Sequence, residues 1–385
     1  MKIYIVSRGY PTQKDPQWGC FERDQAMALR KLGHEIIMIS VDRRLRFNSK
    51  RIIYNYDNVH VYDYKTILPG KLLSVISAEL YVNYLSNKML HLFNLTIQKH
   101  GFPDIIYVHF QSNMALMKKV KEKYEIPIVG MEHWSAINKI PLPNFVYQCG
   151  KIAYRNVDVL LSVSNSLNRR IKQIWDKDSL VIHNMVGEEF FNQNVNRNKK
   201  GNKIVFVSTG SLIKRKGYDV LIKALNIINS QLSNWELNII GEGSERGTLQ
   251  KMINTNQLND KIKLVGKKNK MEIISYLHNS DVFLFPSRME NFSVAVLEAL
   301  SAGLPVIATI CGGIRECINE TNGLLVPVED VDALAYAILN ISNNINHYSR
   351  DYIAENCKMQ YAPDIIAQKL TTIFNDVMTN HNKKI

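Results

Sequence analysis

The chain of 385 residues has no uninterrupted apolar window near the roughly 18 residues that a membrane-crossing helix needs. Its N-terminus, Met1-Lys-Ile-Tyr-Ile-Val-Ser-Arg8, offers only a short apolar run before an arginine, and so reads as a first β-strand rather than a signal peptide. Cysteine is sparse. The five, at 20, 149, 311, 317 and 357, are scattered, odd in number and without a C-x-x-C pair. Neither a disulfide framework nor a zinc site is expected, and reduced thiols in a cytoplasm are. Low-complexity tracts and internal repeats are missing too. No first βα turn carries G-x-G-x-x-G, which weakens a reading as an NAD-dependent oxidoreductase.

Hydrophobic residues, at 46%, suffice for full cores, and the length implies two or three domains. The net charge of +13 is uneven. Residues 1–185 hold 26 Lys and Arg against 15 Asp and Glu, whereas residues 186–385 hold 22 against 20. Arg43-Arg44-Leu-Arg46 through Lys50-Arg51, and Lys118-Lys119-Val-Lys121-Glu-Lys123, concentrate the excess. Such a face attracts anionic lipid headgroups, nucleic acid or a polyanionic substrate, or is simply a solvated basic surface. Residues 71–97 form an apolar-periodic helix candidate that suits a core better than a membrane surface.

Apolar β-like runs alternate with helical patterns throughout, which predicts α/β domains with parallel sheets and crossover helices. Strands are expected at 2–7, 35–41, 59–64, 104–110, 127–133, 158–164 and 180–183, then at 203–209, 236–241, 262–266, 282–286, 305–309 and 324–326. Helices are expected at 20–32, 71–98, 112–124, 143–156 and 165–175, then at 217–229, 244–256, 270–278, 294–302, 312–318, 330–342 and about 362–379. The polar run Asn192 to Asn202 reads as an interdomain connection.

After the short apolar run Val282 to Phe285 come Ser287-Arg-Met-Glu290-Asn-Phe-Ser-Val-Ala-Val-Leu-Glu298 and Ala302-Gly-Leu-Pro-Val. On an ideal helix the two glutamates would be about 12 Å apart along the axis and about 80° apart around it. That suits opposite ends of one elongated polar ligand better than a glycosidase pair at about 5–9.5 Å. Backbone amides at the helix start, from Asn291, Phe292, Ser293 and Val294, could approach an anion. A second segment, Val207-Ser-Thr-Gly210-Ser211-Leu-Ile-Lys214-Arg215-Lys216-Gly217, places three consecutive cations between a strand and a helix start, the makings of a diphosphate site.

Together these segments resemble family 4 retaining glycosyltransferases of the bacterial surface-polysaccharide type, which have the GT-B fold: two Rossmann-like domains with parallel sheets facing a central cleft. The resemblance covers nearly the whole chain. It implies an acceptor domain at 1–186, a nucleotide-sugar domain at 187–360, and a last helix at 361–385 crossing back to the first domain. In the E-x7-E motif, Glu290 would contact the sugar and Glu298 the ribose. Lys216 matches the family's diphosphate lysine, while Ser211 stands where the family has arginine, so Arg215 or Lys214 would compensate. The loop bearing Gly19 would approach the donor phosphate, and His133, in Glu132-His133-Trp134, matches the family's histidine near the donor sugar. His109 reads as structural, as do Gly241-Glu-Gly243, Gly312-Gly313-Ile-Arg-Glu316 and Asn322-Gly323. Val163-Ser164 and Asn184 resemble further landmarks of low specificity.

The implied reaction moves a sugar from a UDP-, GDP- or ADP-sugar to a hydroxyl of a saccharide or lipid-linked acceptor, with retention. His133, Glu290 and Lys216 would be its central residues. No cofactor or metal is expected, since no D-x-D pair lies near the site and the cations can do what Mg2+ does elsewhere. The expected partners are donor, acceptor and an anionic membrane surface, not nucleic acid, with the protein peripheral on the inner face of the membrane. The alternatives are another GT-B nucleotide-sugar enzyme (epimerase or phosphorylase), an NAD-dependent oxidoreductase, and a non-enzymatic sugar-binding protein.

Overall fold

A computed structural model describes residues 1–12, 18–42, 51–65, 77–191 and 203–383. The basic stretch 43–50, the start of the helix expected at 71–98 (residues 71–76) and the polar run 192–202 lie outside the described residues. The chain divides into two compact units, Met1–His183 with Pro363–Ile385, and Asn184–Ala362. Among the described residues, no helix is long and apolar enough to cross a membrane.

The first unit is built on β1 (Lys2–Ser7), β2 (Glu35–Asp42), β3 (Arg51–Tyr56), β4 (Val59–Lys65), β5 (Ile105–His109), β6 (Ile128–Glu132), β7 (Val159–Ser162) and β8 (Leu180–Val181). Their order in the sheet is β3-β4-β2-β1-β5-β6-β7-β8, parallel throughout except for β3 against β4. Strands β1 and β5 are fully buried from Ile3 to Val6 and from Ile105 to His109, as near-continuous apolar runs covered by helices on both faces must be. Crossover helix Ala78–His100 starts at Ser77, whose hydroxyl accepts the amides of Glu79 and Leu80 at 3.2 and 3.5 Å. The last helix, Pro363–Asn382, belongs to this unit. It buries Phe374 completely against Tyr107, ring centroids 5.2 Å apart, an anchor that contributes about 1.5–3 kcal/mol.

The second unit holds β9 (Ile204–Thr209), β10 (Trp235–Ile240), β11 (Ile262–Gly266), β12 (Val282–Phe285), β13 (Val306–Thr309) and β14 (Gly323–Val326), all parallel in the order β11-β10-β9-β12-β13-β14. One face packs helices Tyr218–Ile228 and Val331–Asn343 onto Phe206, Leu237, Leu284 and Ile307. Strand order turns at β9, with β10 on one side and β12 on the other. In open parallel sheets such a switch point is where loops part to admit a ligand.

Three expectations need correction. Strand β3 has no counterpart among them; it pairs antiparallel with β4 across Asp57-Asn58, both at positive φ (53° and 57°), the signature of a two-residue hairpin. The helix expected over 112–124 is two, Gln111–Leu116 and Lys118–Lys123, divided at Met117. The segment 312–318 is a single 3-10 stretch, Gly312–Glu316.

Candidate functional site

In the second unit the loops after β9 and β12 meet. The cations at 214–216 do not act alike. Lys214 is exposed and pairs with Asp219 at 2.8 Å. Lys216 and Arg215 turn instead to one carboxylate oxygen, Glu290 Oε1, at 2.7 and 3.1 Å, and the Ser287 hydroxyl donates to the same oxygen at 2.8 Å. Arg215 also donates to the Met289 carbonyl at 2.7 Å. Lys216 and Glu290 are only 13% and 12% exposed, so the pair interacts in a medium far less screening than water. Two cations on one carboxylate leave a local excess of one positive charge. Lys214 faces toward Asp219, whereas Arg215 turns toward Glu290.

This loop is held rigidly. Arg288 binds Asp219 through both terminal nitrogens, at 2.8 and 2.9 Å, and its amide donates to the Arg215 carbonyl at 2.8 Å. Burial alone would raise the Asp219 pKa, but the Arg288 and Lys214 hydrogen bonds outweigh it and hold the carboxyl well below its usual range. Gly217 follows with φ +70°, and a Cβ there would lie 2.0 Å from the Pro286 carbonyl oxygen. Gly312, φ +57°, lets backbone approach the Glu290 carbonyl, where a Cβ would come within 1.9 Å, and the Gly313 amide donates to Asn291 at 2.8 Å. The Gly312-Gly313 pair thus supports the Glu290 loop. Ser211, in the position of the family's arginine, is exposed beside the turn at 241–245, which is tied to Leu212 by two backbone hydrogen bonds.

The glutamate pair differs from its helical expectation. Only Glu298 lies on the helix Val294–Ser301; Glu290 precedes it on the loop, which is how its carboxylate can reach back to Lys216. Ser293 precedes the helix in extended conformation and offers no side-chain cap, while any helix leaves its first amides without an intrahelical partner. Asn291 and Phe292 are buried. The Phe292 ring packs on Tyr361, centroids 5.8 Å apart, and its carbonyl accepts the Asn184 amide at 2.9 Å.

His133 and Gly19 belong to the first unit. Gly19 has φ +79° and precedes helix Cys20–Lys31, and a Cβ on it would strike the Gly9 carbonyl oxygen at 2.1 Å. His133 follows β6, half-buried, and its Nε2 lies 3.0 Å from Nδ1 of His109 at the end of β5. Several residues here escaped the sequence reading. Glu132 is fully buried and accepts the amides of His133, Trp134 and Gln111 at 3.0, 2.8 and 3.0 Å and the Tyr154 hydroxyl at 3.1 Å. Burial pushes its carboxyl up to about 7 against these donors. Glu22, also fully buried, binds Arg8 at 2.9 and 3.2 Å. Burial opposes its charge, but the Arg8 guanidinium and the hydrogen bonds it donates hold its carboxyl below the usual range. The Arg8 guanidinium lies 4.1 Å from the centre of the Phe110 ring. A carboxylate inside an apolar strand end was the available signal for Glu132.

Among the described residues no group of three or more His, Cys, Asp and Glu could hold a metal ion. The five cysteines are free thiols, four of them buried.

Residues 189–359 match the model of the family described as glycosyl transferases group 1. The amylovoran biosynthesis glycosyltransferase AmsK of Erwinia amylovora is 38% identical over 143 residues, 35% of either chain, so the match spans about a third of that relative's length. The putative teichuronic acid biosynthesis glycosyltransferase TuaC of Bacillus subtilis is 26% identical over 362 residues, 88% of either chain. Among solved structures, a sucrose-phosphate synthase from Thermosynechococcus elongatus superposes with a TM-score of 0.80 over 99% of this chain and 100% of its own, at 18% identity. The two parallel-sheet units are thus those of the GT-B fold. Over residues 189–359, somewhat under half of the chain, it is similar to the glycosyl transferases group 1 family.

Proposed function

We propose that the protein transfers a sugar from a nucleoside diphosphate sugar to a hydroxyl of a saccharide or lipid-linked acceptor in polysaccharide biosynthesis, with retention at the anomeric carbon. The observation that carries this is the cluster of Lys216, Arg215 and Glu290 beside the start of helix Val294–Ser301, inside the segment that matches the family. Fixed cations and backbone amides stabilise the charge that develops on a departing diphosphate without solvent having to reorganise. In the proposed step the bond from the anomeric carbon to the diphosphate oxygen breaks, and the acceptor oxygen bonds to that carbon on the same face. The acceptor's proton passes to the departing phosphate. Glu290 orients the sugar and Glu298 the ribose. His133 is assigned to the reacting region on family resemblance alone.

The names of AmsK and TuaC, which place both relatives in the synthesis of a polysaccharide, support the choice of acceptor class. The reading includes no metal, because Lys216 and Arg215 supply the positive charge, and no cofactor. It places the enzyme in the cytoplasm, peripheral on an anionic membrane surface through its basic first half. In that half Lys121 is paired with Asp158 at 2.7 Å, whereas Lys119 and Lys123 meet only the neutral side chains of Asn87 and Asn94 and keep their charge. Co-sedimentation with anionic and zwitterionic liposomes at physiological salt checks this: pelleting with the anionic vesicles alone is expected, and protein left in solution with both rules it out.

Transfer itself is tested by incubating the protein with UDP-, GDP- and ADP-sugars and membrane saccharide extracts in EDTA. Release of nucleoside diphosphate that depends on acceptor supports the reading. Epimerised donor without release would favour an epimerase, and sugar phosphate as product a phosphorylase.

A further inference from the structure

The histidine proposed for the reacting region does not stand alone. His109 and His133 have ring planes 12° apart and centroids 5.3 Å apart, with Nδ1 of one 3.0 Å from Nε2 of the other. So short a nitrogen separation at that centroid distance requires the rings to meet edge to edge in nearly one plane. In that arrangement a ring N–H points straight at a ring lone pair. Behind it lies further packing: Tyr107 stands edge-on to His109 at 4.5 Å, and Phe110 lies 5.0 Å from His133.

We propose that His109 is a positioning residue that fixes the proton of His133 on Nδ1, so that His133 can present an Nδ1–H donor, and never Nε2–H, to the acceptor or donor sugar; this rests on the transferase reading above. Three observations lead there. His109 is completely buried, and burial, opposed by the charge of Glu22 and helped by that of Arg8, pushes its pKa down to about 4, so the ring is neutral at ordinary pH. A neutral imidazole has one N–H and one lone pair. Its Nε2 is buried without a hydrogen-bond partner among the described residues. An orphaned buried N–H is rarer in proteins than an orphaned acceptor. The proton of His109 therefore sits on Nδ1, which donates to Nε2 of His133, and a nitrogen that accepts cannot also carry a proton. When His133 is neutral, its one proton is therefore left to Nδ1.

Glu132 secures the other coordinate. One of its oxygens takes the amides of His133 and Trp134, the other the Gln111 amide and the Tyr154 hydroxyl. It thereby ties the turn after β5 to the turn after β6, the two turns that follow His109 and lead out through His133. Backbone direction and proton position are set by different residues.

The test is nitrogen NMR of the full chain labelled with 15N-histidine, with His133→Asn used to assign the His133 signals among the ten histidines. In the wild type at pH 8, His133 is expected to show a protonated Nδ1 and a bare Nε2. A protonated Nε2 overturns the proposal whatever the enzyme's activity, because this spectrum needs neither substrate nor a further variant. In His109→Phe, which keeps the ring volume but cannot donate, the fixed tautomer should give way to an Nε2–H or mixed form. His109→Gln, whose amide can donate, should restore it. A tautomer unchanged in His109→Phe would also sink the idea. If transfer is established, His109→Phe should lower kcat by roughly 10- to 100-fold with the donor KM unchanged, and His109→Gln should recover part of it. Absence of any transfer would count against the transferase reading, while the tautomer would still be read.

Discussion

Replacing Lys216 by methionine separates a structural role from a binding role, because the two act on different observables. Lys216 neutralises Glu290, at 2.7 Å, with both side chains about seven-eighths buried. Breaking a fully buried pair costs about 3–5 kcal/mol and an exposed one about 0–1 kcal/mol. Glu290 here retains Arg215 and Ser287, so a cost of about 1–3 kcal/mol is expected for the variant. For a unit the size of 184–362 that lowers the melting temperature by about 2–12 °C. Affinity is a separate term. A charge-assisted hydrogen bond to a phosphate oxygen is worth about 1.5–3 kcal/mol, which weakens nucleoside diphosphate binding about 10- to 150-fold. Calorimetric melting without nucleotide gives the first number, and titration with UDP, GDP or ADP at a temperature where both proteins are folded gives the second. A variant that melts lower yet binds its nucleotide as tightly as the wild type would refute the reasoning and leave Lys216 as scaffolding for Glu290.

Three other variants extend the account. Glu298→Ala should lose the rise in melting temperature that the nucleotide confers, read against the variant's own melting without nucleotide; a rise kept intact removes Glu298 from the ribose. Gly217→Ala should destabilise by more than about 1 kcal/mol, because φ is +70° and the new Cβ would lie 2.0 Å from the Pro286 carbonyl oxygen; urea unfolding reads this, and a neutral result would mean that the loop can shift. His109 makes stability pH-dependent. Its pKa is about 4 folded against about 6.5 unfolded, so acid protonates the unfolded chain first. The stability it confers is lost as pH falls from about 6.5 to about 4, by about 3 kcal/mol in all. His109→Phe should remove that loss. Glu132, raised to about 7, has the opposite sign and gives most stability below about 4.5, so the variant should become more stable on acidification where the wild type does not. Urea midpoints at pH 7, 5.5 and 4.5 decide it.

The sheets were legible because each strand is a run of β-branched and aromatic residues between helix starts, and β9 to β14 fell near their expected places. Strand β3 was not, because Arg51-Ile-Ile-Tyr-Asn-Tyr56 alternates as an edge strand rather than running apolar throughout; its real signal was the Asp57-Asn58 turn. The expected helix over 112–124 breaks at Met117, where nothing in the residue sequence interrupts helix propensity. Within the site, spacing located the cations and glutamates but not their contacts. The ideal-helix spacing of the two glutamates did not apply, because Glu290 lies on the loop before the helix and folds back onto residues 74 and 75 positions away. Arg8 with Glu22, and His109 with His133, could not be paired from spacing, because parallel strands bring together residues far apart in sequence through crossovers. Glu132 was quoted only as a neighbour of His133. Its role appears once four donors are seen to converge on it.

The most direct test of the central claim is thermal unfolding of the full chain in EDTA with millimolar UDP, GDP, ADP and NAD in parallel. Saturation at one hundred times the dissociation constant stabilises by about 2.7 kcal/mol. The account predicts a rise in melting temperature with one nucleoside diphosphate, abolished in Glu298→Ala and weakened in Lys216→Met. A rise with NAD alone, or none with any nucleoside diphosphate, would contradict it.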